Sequence, residues 1–372
     1  MAKDPWHYPR TALADQYLKT LGIGLSKSLV LFAQRRMGKT EFLRKDLLPT
    51  AENAGYITIY VSLRESGEDP KSVLLDAIRK AAEGEGVIPG IWRRLGRPGP
   101  KRVGANAGTV GAQASWERGT AEASDRMLDL RQWMNTLAQK KNPTLLLVDE
   151  IQTLADEKRY GALVAALRSG LDKHGDQIKA VFTGSSSEGL RRMFQMEKAP
   201  FFQFSHQIPF PQLGPAFVQH MLRAFANATQ RQLNEAEAWQ AFIDLALVPE
   251  HFRLMMANMV QLGSTDITTA LREVKAAIQE SAEYPSRWAE LTPIDQAVLS
   301  MIVGGQKPYA QESRELIAER MEIAVKGVTS GVIQRSITRM CAKGVIATTG
   351  HREYLVEDRA FAAWVEQAVL HN

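Results

Sequence analysis

The sequence predicts an α/β fold in which a parallel sheet is followed by a long helical region and a small helical module with a hairpin. In the first half, short apolar runs alternate with helical stretches, which is typical of crossover units around a parallel sheet. Near-continuous apolar character indicates strands buried on both faces. The four best strands are SLVLF (28–32), YITIYVSL (56–63), TLLLVDE (144–150) and IKAVFTG (178–184). From residue 216 to about residue 284 the pattern is helical, and the following SAEYPSRWAELTP is predicted to be a linker.

The amino-acid composition limits which classes of protein this sequence can belong to. The chain has 372 residues, 45% hydrophobic and 23% charged, which is typical of a globular protein with two or three domains of about 100–200 residues each. A net charge of +5 permits contact with nucleic acid without requiring it. The single cysteine, Cys341, can form no internal disulfide or cysteine zinc cluster, so we expect a cytoplasmic protein. The apolar runs are too short to span a bilayer, and no membrane partner is expected.

The stretch LFAQRRMGKTEF predicts a phosphate-binding loop between the first strand and a helix. Gly38, Lys39 and Thr40 have the spacing of G-x-x-x-x-G-K-[ST]. Backbone N–H groups at the helix N-terminus would hold phosphates, Lys39 would neutralise the β and γ oxygens, and Thr40 would ligate Mg²⁺. The candidate nucleotide-binding residues of the loop are Ala33, Gln34, Arg35, Arg36, Met37, Gly38, Lys39 and Thr40.

The loop departs from the pattern at its first position, where alanine replaces glycine. Ala33 adopts a positive φ only at a cost of about 1 kcal/mol. Either the loop begins with ordinary dihedral angles or nucleotide binding is weakened. Arg35 and Arg36 lie inside the loop and could contact the nucleotide or a neighbouring subunit.

A second motif follows in the expected order. The strand TLLLVDEIQ ends in Asp149 and Glu150, as a Walker B element requires. Asp149 would hold Mg²⁺, and Glu150 would orient and deprotonate the attacking water. The alternative, an acidic pair that only caps the next helix, is disfavoured by the upstream loop. The sequence therefore predicts ATP and Mg²⁺ as cofactors.

The strand of AVFTGSSSEGLRRMF delivers Ser185 to the same edge of the sheet, because ligands bind at the carboxyl ends of parallel strands. Ser185 is a candidate sensor of the γ-phosphate, with Thr183 in reserve. Alternatively, GSSSEG only caps the helix that starts near Glu188, and both roles are compatible.

The C-terminal segment predicts a helix-turn-helix with a two-stranded appendage. Thr292 and Pro293 begin one helix, and TSGVIQRSITRMCAKG places Val332, Ile333, Ile337 and Met340 on the inner face of another, with Cys341 also toward the core. The candidate DNA-binding residues are Gln334, Arg335, Thr338 and Arg339 on the outer face, and His351 and Arg352 at the hairpin tip. Such a module could also dock a protein or pack on the rest of the chain.

Together, these motifs resemble the P-loop ATPases of the AAA+ and STAND type, specifically archaeal-type ATPases related to origin-recognition proteins. The resemblance covers nearly the whole chain, although only RRMGKTEFL and LLLVDEIQ are specific. It implies a P-loop ATPase core over 1–213 with an inserted hairpin near 92–118, a helical lid over 214–285 and a winged-helix domain over 286–372. The hairpin falls in a Gly-rich stretch whose basic start could meet phosphate or form a solvated surface.

The resemblance also implies arginines at the nucleotide. Arg253 stands where the second sensor of the family would fall, or else on a solvated helix face. The family's Gly-Arg after the sensor helix is here Gln203-Phe204. Arg191 and Arg192 are the nearest substitutes for an arginine acting on a neighbouring subunit, unless they are surface charges.

The predicted function is an ATPase, slow without a partner, whose nucleotide state controls a winged-helix surface. That surface would bind double-stranded DNA or support assembly, as in replication-initiator-like or mobile-element helper proteins. A homo-oligomer or a protein partner is expected. The alternative is a slow ATP-dependent signalling switch that uses the winged helix for protein partners. Transfer of phosphate to a small substrate is disfavoured, since Asp149-Glu150 suits activation of water.

Overall fold

A computed structural model describes residues 4–33, 35–64, 68–84, 128–155, 158–185, 187–195, 199, 201–280, 283–350 and 352–370. The predicted inserted hairpin near 92–118 lies outside these residues, as do Gln34 and His351. No helix within the described ranges is both long and apolar enough to cross a membrane.

The predicted parallel sheet is confirmed. It has five strands in the order β2-β3-β4-β1-β5, and each neighbouring pair is parallel. The strands are β1 (Ser28–Phe32), β2 (Ile57–Ser62), β3 (Thr144–Asp149), β4 (Ile178–Gly184) and β5 (His206–Pro209). Because β1 lies beside β4, and β4 beside β3, the phosphate loop, the acidic pair and Ser185 all emerge at one edge of the sheet.

The three central strands, β1, β3 and β4, are largely apolar because both faces of the sheet are covered there. Along β3, Leu146 and Val148 face one apolar cluster, whereas Leu145 and Leu147 face the other. The helices of this region are α1 (Thr11–Gly22), α2 (Lys39–Phe42), α3 (Leu48–Asn53), α4 (Pro70–Glu83), α5 (described over 128–138), α6 (Gly161–His174) and α7 (Ser187–Phe194). A π-helical turn, Leu43–Leu47, joins α2 to α3.

Four helices follow the sheet, as predicted. They are α8 (Pro215–Thr229), α9 (Glu235–Asp244), α10 (Pro249–Leu262) and α11 (Ile267–Glu280). Phe217, Phe242 and Phe252 form the centre of their apolar cluster. Proline in the first turn starts α8 and α10, where its missing N–H costs no helical hydrogen bond.

The predicted linker is wrong in part, because it contains a helix, α12 (Glu283–Ala289). Its proline, Pro285, stands in the first turn, where proline is compatible with a helix. Tyr284 is buried against Phe361 and Trp364 of the C-terminal module. The composition of this segment indicated a break, but the apolar contacts of Tyr284 stabilise regular structure there.

The C-terminal module has the predicted helix-turn-helix and hairpin. Its elements are α13 (Pro293–Val303), α14 (Gln311–Arg320), α15 (Ser330–Ala342), β6 (Ile346–Gly350), β7 (Glu353–Val356) and α16 (Arg359–Val365), with β6 and β7 antiparallel. Thr292 forms a capping box with Asp295, and Thr329 caps α15. Ile333, Ile337, Met340 and Cys341 are buried, whereas Val332 is only half-buried. The domain limits at residues 213 and 285 remain predictions.

Candidate functional site: a phosphate-loop cavity

The phosphate loop connects β1 to α2. Gly38 is the N-cap of α2 and has a φ of 81°, which explains the need for glycine at that position. Arg36 also has a left-handed backbone, with φ 62°, whereas Ala33 does not. The loop therefore begins with ordinary dihedral angles, and alanine at position 33 carries no backbone penalty.

Lys39 is 6% exposed, and its Nζ donates to the carbonyl oxygen of Ala33 at 2.8 Å. Burial lowers the pKa of Lys39 to about 8, although the charges of Glu150 and Asp149 oppose this shift. The protonated form of Lys39 is therefore less stable in the folded protein than in water. Phosphate oxygens placed beside Nζ would stabilise the charged form and raise the pKa of Lys39 again.

Asp149 joins the loop to the sheet. Thr40 Oγ1 donates to Asp149 Oδ2 at 2.5 Å, and the Thr183 hydroxyl donates to Oδ1. These hard oxygen donors fit Mg²⁺. Among the described residues there is no cluster of three or more His, Cys, Asp or Glu side chains that could hold a metal by itself. Mg²⁺ would accordingly bind through Thr40, Asp149 and phosphate oxygens.

Glu150 is held by residues from three strand ends. It accepts hydrogen bonds from Ser185 Oγ at 2.6 Å and from Gln152 Nε2 at 2.5 Å. Arg64, which follows β2, approaches Glu150 Oε2 at 3.7 Å and donates to Ser185 Oγ at 3.4 Å. The backbone of Glu150 is left-handed, with φ 61°. This arrangement fixes the carboxylate next to the loop, as a base that activates water requires.

Sequence reasoning missed Arg64 and Gln152. Their positions gave a signal, because both adjoin strands whose carboxyl ends meet at this edge of the sheet. Gly184 shows how tightly Gln152 fits: a Cβ at position 184 would lie 2.1 Å from Gln152 Oε1. Ser185 is placed beside Glu150, and the reserve candidate Thr183 is bonded to Asp149.

The loop opens into a cavity of about 400 Å³ between the sheet and the helical region. Its lining includes Arg35, Arg36, Met37, Gly38, Lys39, Thr40, Glu150, Ser185 and Arg253. Arg253, on α10, lies 3.5 Å from Glu41 Oε2 and 4.0 Å from Asp4 Oδ2. The structure thus places Arg253 at the phosphate-loop cavity, and its role as a second sensor stays a prediction.

The N-terminal segment forms a further wall of the cavity, which sequence reasoning also missed. Trp6 and Tyr8 line it together with Phe217 of α8. Arg10 Nη2 donates to the carbonyl oxygen of Met37 at 3.4 Å. The aromatic density of PWHYPR was the available signal. The aromatic side chains of this wall could accommodate a planar base beside the phosphates.

His7 ties this segment to the loop helix. Its Nε2 is 3.0 Å from Asp46 Oδ1, and its Nδ1 is 3.4 Å from Glu41 Oε2. Hydrogen bonding to Asp46 and then Glu41 raises the pKa of His7 to about 9, and bonding to His7 lowers the pKa of Glu41 to about 2. The contribution of His7 to stability is complete below its ordinary pKa of 6.5 and is lost as pH rises through about 9.

The two arginines of α7 are both half-buried in their own chain. Arg191 lines a cleft of about 550 Å³ together with Thr348 and Leu355 of the hairpin. Arg192 is half-buried. In this conformation Arg191 faces the winged-helix hairpin of its own chain, and action on a neighbouring subunit stays a prediction.

The candidate DNA-binding residues divide into two groups. Gln334, Arg335 and Thr338 are exposed on α15, and Arg352 is exposed at the hairpin, 5.2 Å from the Tyr309 ring centre. Arg339 differs from them. Its Nη2 lies 2.6 Å from Asp295 Oδ1 and its Nε donates to Oδ2 at 2.8 Å.

Arg339 has a structural role that the helical pattern did not reveal, because it pairs with Asp295. Asp295 is fully buried and also accepts a hydrogen bond from Ser336. Burial alone would raise the pKa of Asp295, but bonds from Arg339, Ser336 and Thr292 outweigh it and lower the pKa below 3.8. The resulting stabilisation is present above pH 3.8 and is lost as pH falls through the lower folded-state pKa.

Arg339→Ala should therefore destabilise the winged-helix module, since it leaves the buried Asp295 carboxylate unpaired. Because Arg339 is partly exposed, we expect a loss of about 1–3 kcal/mol, below the usual cost of breaking a fully buried pair. Urea unfolding measures the change, with the exposed Arg335→Ala as control. Equal stability of the two variants would contradict this role.

Comparison with known proteins supports the fold. No known protein family and no curated protein matches the sequence. Among solved structures, a Walker-type ATPase of Pyrococcus abyssi has a TM-score of 0.61 at 15% identity, covering 97% of this chain and 99% of that chain. The ORC2 protein of Aeropyrum pernix in its ADP form has a TM-score of 0.56 at 15% identity, covering 97% of this chain and 94% of that chain.

The same Aeropyrum pernix protein in its ADPNP-ADP complexes gives a TM-score of 0.54 at 16% identity, covering 97% of this chain and 93% of that chain. The protein thus has the AAA+ P-loop fold of archaeal Walker-type ATPases and ORC proteins, followed by a winged helix, as the sequence predicted. At this level of identity the likeness establishes the fold.

Proposed function

We propose that the protein is an ATPase that binds Mg-ATP in the phosphate-loop cavity and hydrolyses it. One observation carries this proposal: Lys39, Thr40 and Glu150 come from two strand ends and line one cavity, and Thr40 is hydrogen-bonded to the buried Asp149. A structural acidic pair would not require a buried lysine and a threonine hydroxyl at the same place. The structural relative from Aeropyrum pernix was solved with ADP and ADPNP, which accords with nucleotide binding.

Different residues at the cavity would bind the phosphates, hold Mg²⁺ and activate water. Lys39 and the loop N–H groups would bind phosphate oxygens, and Thr40 with Asp149 would hold Mg²⁺, which neutralises charge on the phosphates. Glu150 would take a proton from the attacking water, with its carboxylate oriented by Ser185, Gln152 and Arg64.

Arg253 and the loop arginines complete the cavity. Arg253 now pairs with Glu41, close to Thr40, and would exchange this carboxylate for a phosphate of the nucleotide. Arg35 Nε is buried without a hydrogen-bond partner, which suits a contact with the bound nucleotide. Both contacts would stabilise charge on the phosphates.

We further propose that nucleotide state controls the winged-helix surface, and that double-stranded DNA is its partner. The exposed Gln334, Arg335, Thr338 and Arg352 suit base edges and phosphates. The second candidate, a slow signalling switch with a protein partner, is favoured by exposed apolar side chains on α14 and the turn before α15. These are Leu316, Ile323 and Val325, each 40–43% exposed. A homo-oligomer could form through either surface.

Duplex DNA should separate the two candidates. If the DNA proposal holds, DNA accelerates ATP turnover, and Arg335→Ala weakens DNA binding by about 5- to 150-fold and reduces its salt dependence. Fluorescence anisotropy over a salt series measures binding, with the exposed Arg320→Ala on α14 as control. Equally weak binding by wild type and Arg335→Ala at low salt would remove DNA and leave the protein partner.

A further inference from the structure

Arg36, the second arginine of the phosphate loop, has its guanidinium directed across the cavity. Its Nη1 donates to the hydroxyl of Tyr284 and lies 3.4 Å from His251 Nε2, and its Nε lies 3.5 Å from Glu250 Oε2. Glu250 and His251 stand in the first turn of α10, and Tyr284 belongs to α12. Arg36 thus connects the loop to the helical region and to the segment beyond it.

Tyr284 continues this connection into the winged-helix module. It is 1% exposed, and its ring centre lies 5.8 Å from that of Phe361 and 6.4 Å from that of Trp364, both on α16. On the same helix, Arg287 pairs with Asp358, the N-cap of α16, at 2.7 Å. Helix α12 is therefore anchored to the winged-helix module, so a displacement of Tyr284 would displace α16 as well.

The position of Arg36 makes it sensitive to bound phosphate. Its backbone has φ 62°, a conformation that a non-glycine residue keeps only when its surroundings stabilise it. A nucleoside triphosphate bound in the loop would present anionic oxygens to the same guanidinium. A charged oxygen is a stronger partner for arginine than the neutral Tyr284 hydroxyl.

We propose that Arg36 transmits nucleotide occupancy of the loop to the winged-helix module, because phosphate oxygens and the Tyr284 hydroxyl compete for its guanidinium. The inference rests on the proposed function, since it requires Mg-ATP in the cavity. Arg36 acts as a positioning residue: binding of phosphate releases Tyr284, and with it the contact between α12 and the loop.

Competition has a definite thermodynamic consequence. If ATP must displace the Tyr284 hydroxyl, removing that hydroxyl tightens ATP binding, because coupling between two sites is reciprocal. Tyr284→Phe removes only the hydroxyl and keeps the ring that packs on Phe361 and Trp364. We expect Tyr284→Phe to bind Mg-ATP about 3- to 10-fold more tightly than wild type. Tyr56→Phe, immediately before β2, is the matched control.

The test measures Mg-ATP affinity by calorimetry and hydrogen exchange over 283–289 and 353–370 with and without Mg-ATP. In wild type and Tyr56→Phe, Mg-ATP should increase exchange in these segments. In Tyr284→Phe, the unliganded protein should already show raised exchange, and Mg-ATP should change it by less than half as much. Arg36→Lys keeps the positive charge but loses the planar guanidinium with its several N–H donors. It should show the same reduced change in exchange on addition of Mg-ATP.

The outcomes are distinguishable. Failure of wild type to bind Mg-ATP would overturn the proposed function and the inference together. Mg-ATP binding by wild type without altered exchange in the winged helix would overturn the inference alone. So would a Tyr284→Phe variant with wild-type affinity and a wild-type exchange response.

Discussion

Glu150→Gln is expected to bind Mg-ATP with near wild-type affinity while hydrolysis falls by about 10²–10⁴-fold. Glutamine keeps the size of the side chain and can still accept hydrogen bonds from Ser185 and Gln152, which hold the carboxylate at 2.6 Å and 2.5 Å. It cannot take a proton from water, and a positioned general base contributes about 10²–10⁴-fold to a rate. Single-turnover hydrolysis and calorimetric ATP titration measure the two quantities.

Glu312→Gln provides the control, because Glu312 is exposed on α14 of the winged-helix module. It should hydrolyse ATP at the wild-type rate. Unchanged turnover in Glu150→Gln would show that another group activates water. A parallel loss of ATP affinity would instead show that the amide has disturbed the adjacent Asp149 and its hydrogen bond with Thr40.

Much of the cavity was predictable because parallel strands bring their carboxyl ends to one edge. The loop at β1, Asp149 at β3 and Ser185 at β4 are distant in sequence, yet the sheet order makes them neighbours. The limits of β1 and β4 match the prediction. Their apolar runs are continuous because both faces of the sheet are buried, and such a pattern ends where the strand ends.

The features that were missed lack such a pattern. Strand β5 is short, lies at the sheet edge and is only partly buried, so HQIP shows no apolar run. Trp6 and Tyr8 reach the cavity through tertiary contacts that no local periodicity encodes. The helical pattern placed Arg339 near the surface, but it could not identify Asp295, which lies 44 positions earlier, as its partner.

Lys39→Ala should weaken Mg-ATP binding by about 10- to 150-fold, because hydrogen bonds to a charged partner contribute about 1.5–3 kcal/mol. The burial of Lys39 makes this variant informative. The pKa of Lys39 is about 8 in the folded protein and 10.5 without burial, so the charged lysine destabilises the folded state at neutral pH. This destabilisation decreases as pH rises from about 8 to 10.5, because Lys39 then loses its proton. Removal of the ammonium relieves that cost while losing its bond to Ala33.

At pH 7 we therefore expect Lys39→Ala to melt within a few degrees of wild type while its ATP affinity falls. Binding loss without unfolding separates a phosphate ligand from a structural lysine. Lys19→Ala on α1, an exposed position, should change neither quantity. If Lys39→Ala unfolds at lower temperature yet binds Mg-ATP like wild type when folded, Lys39 stabilises the loop and the phosphates bind through the backbone N–H groups instead.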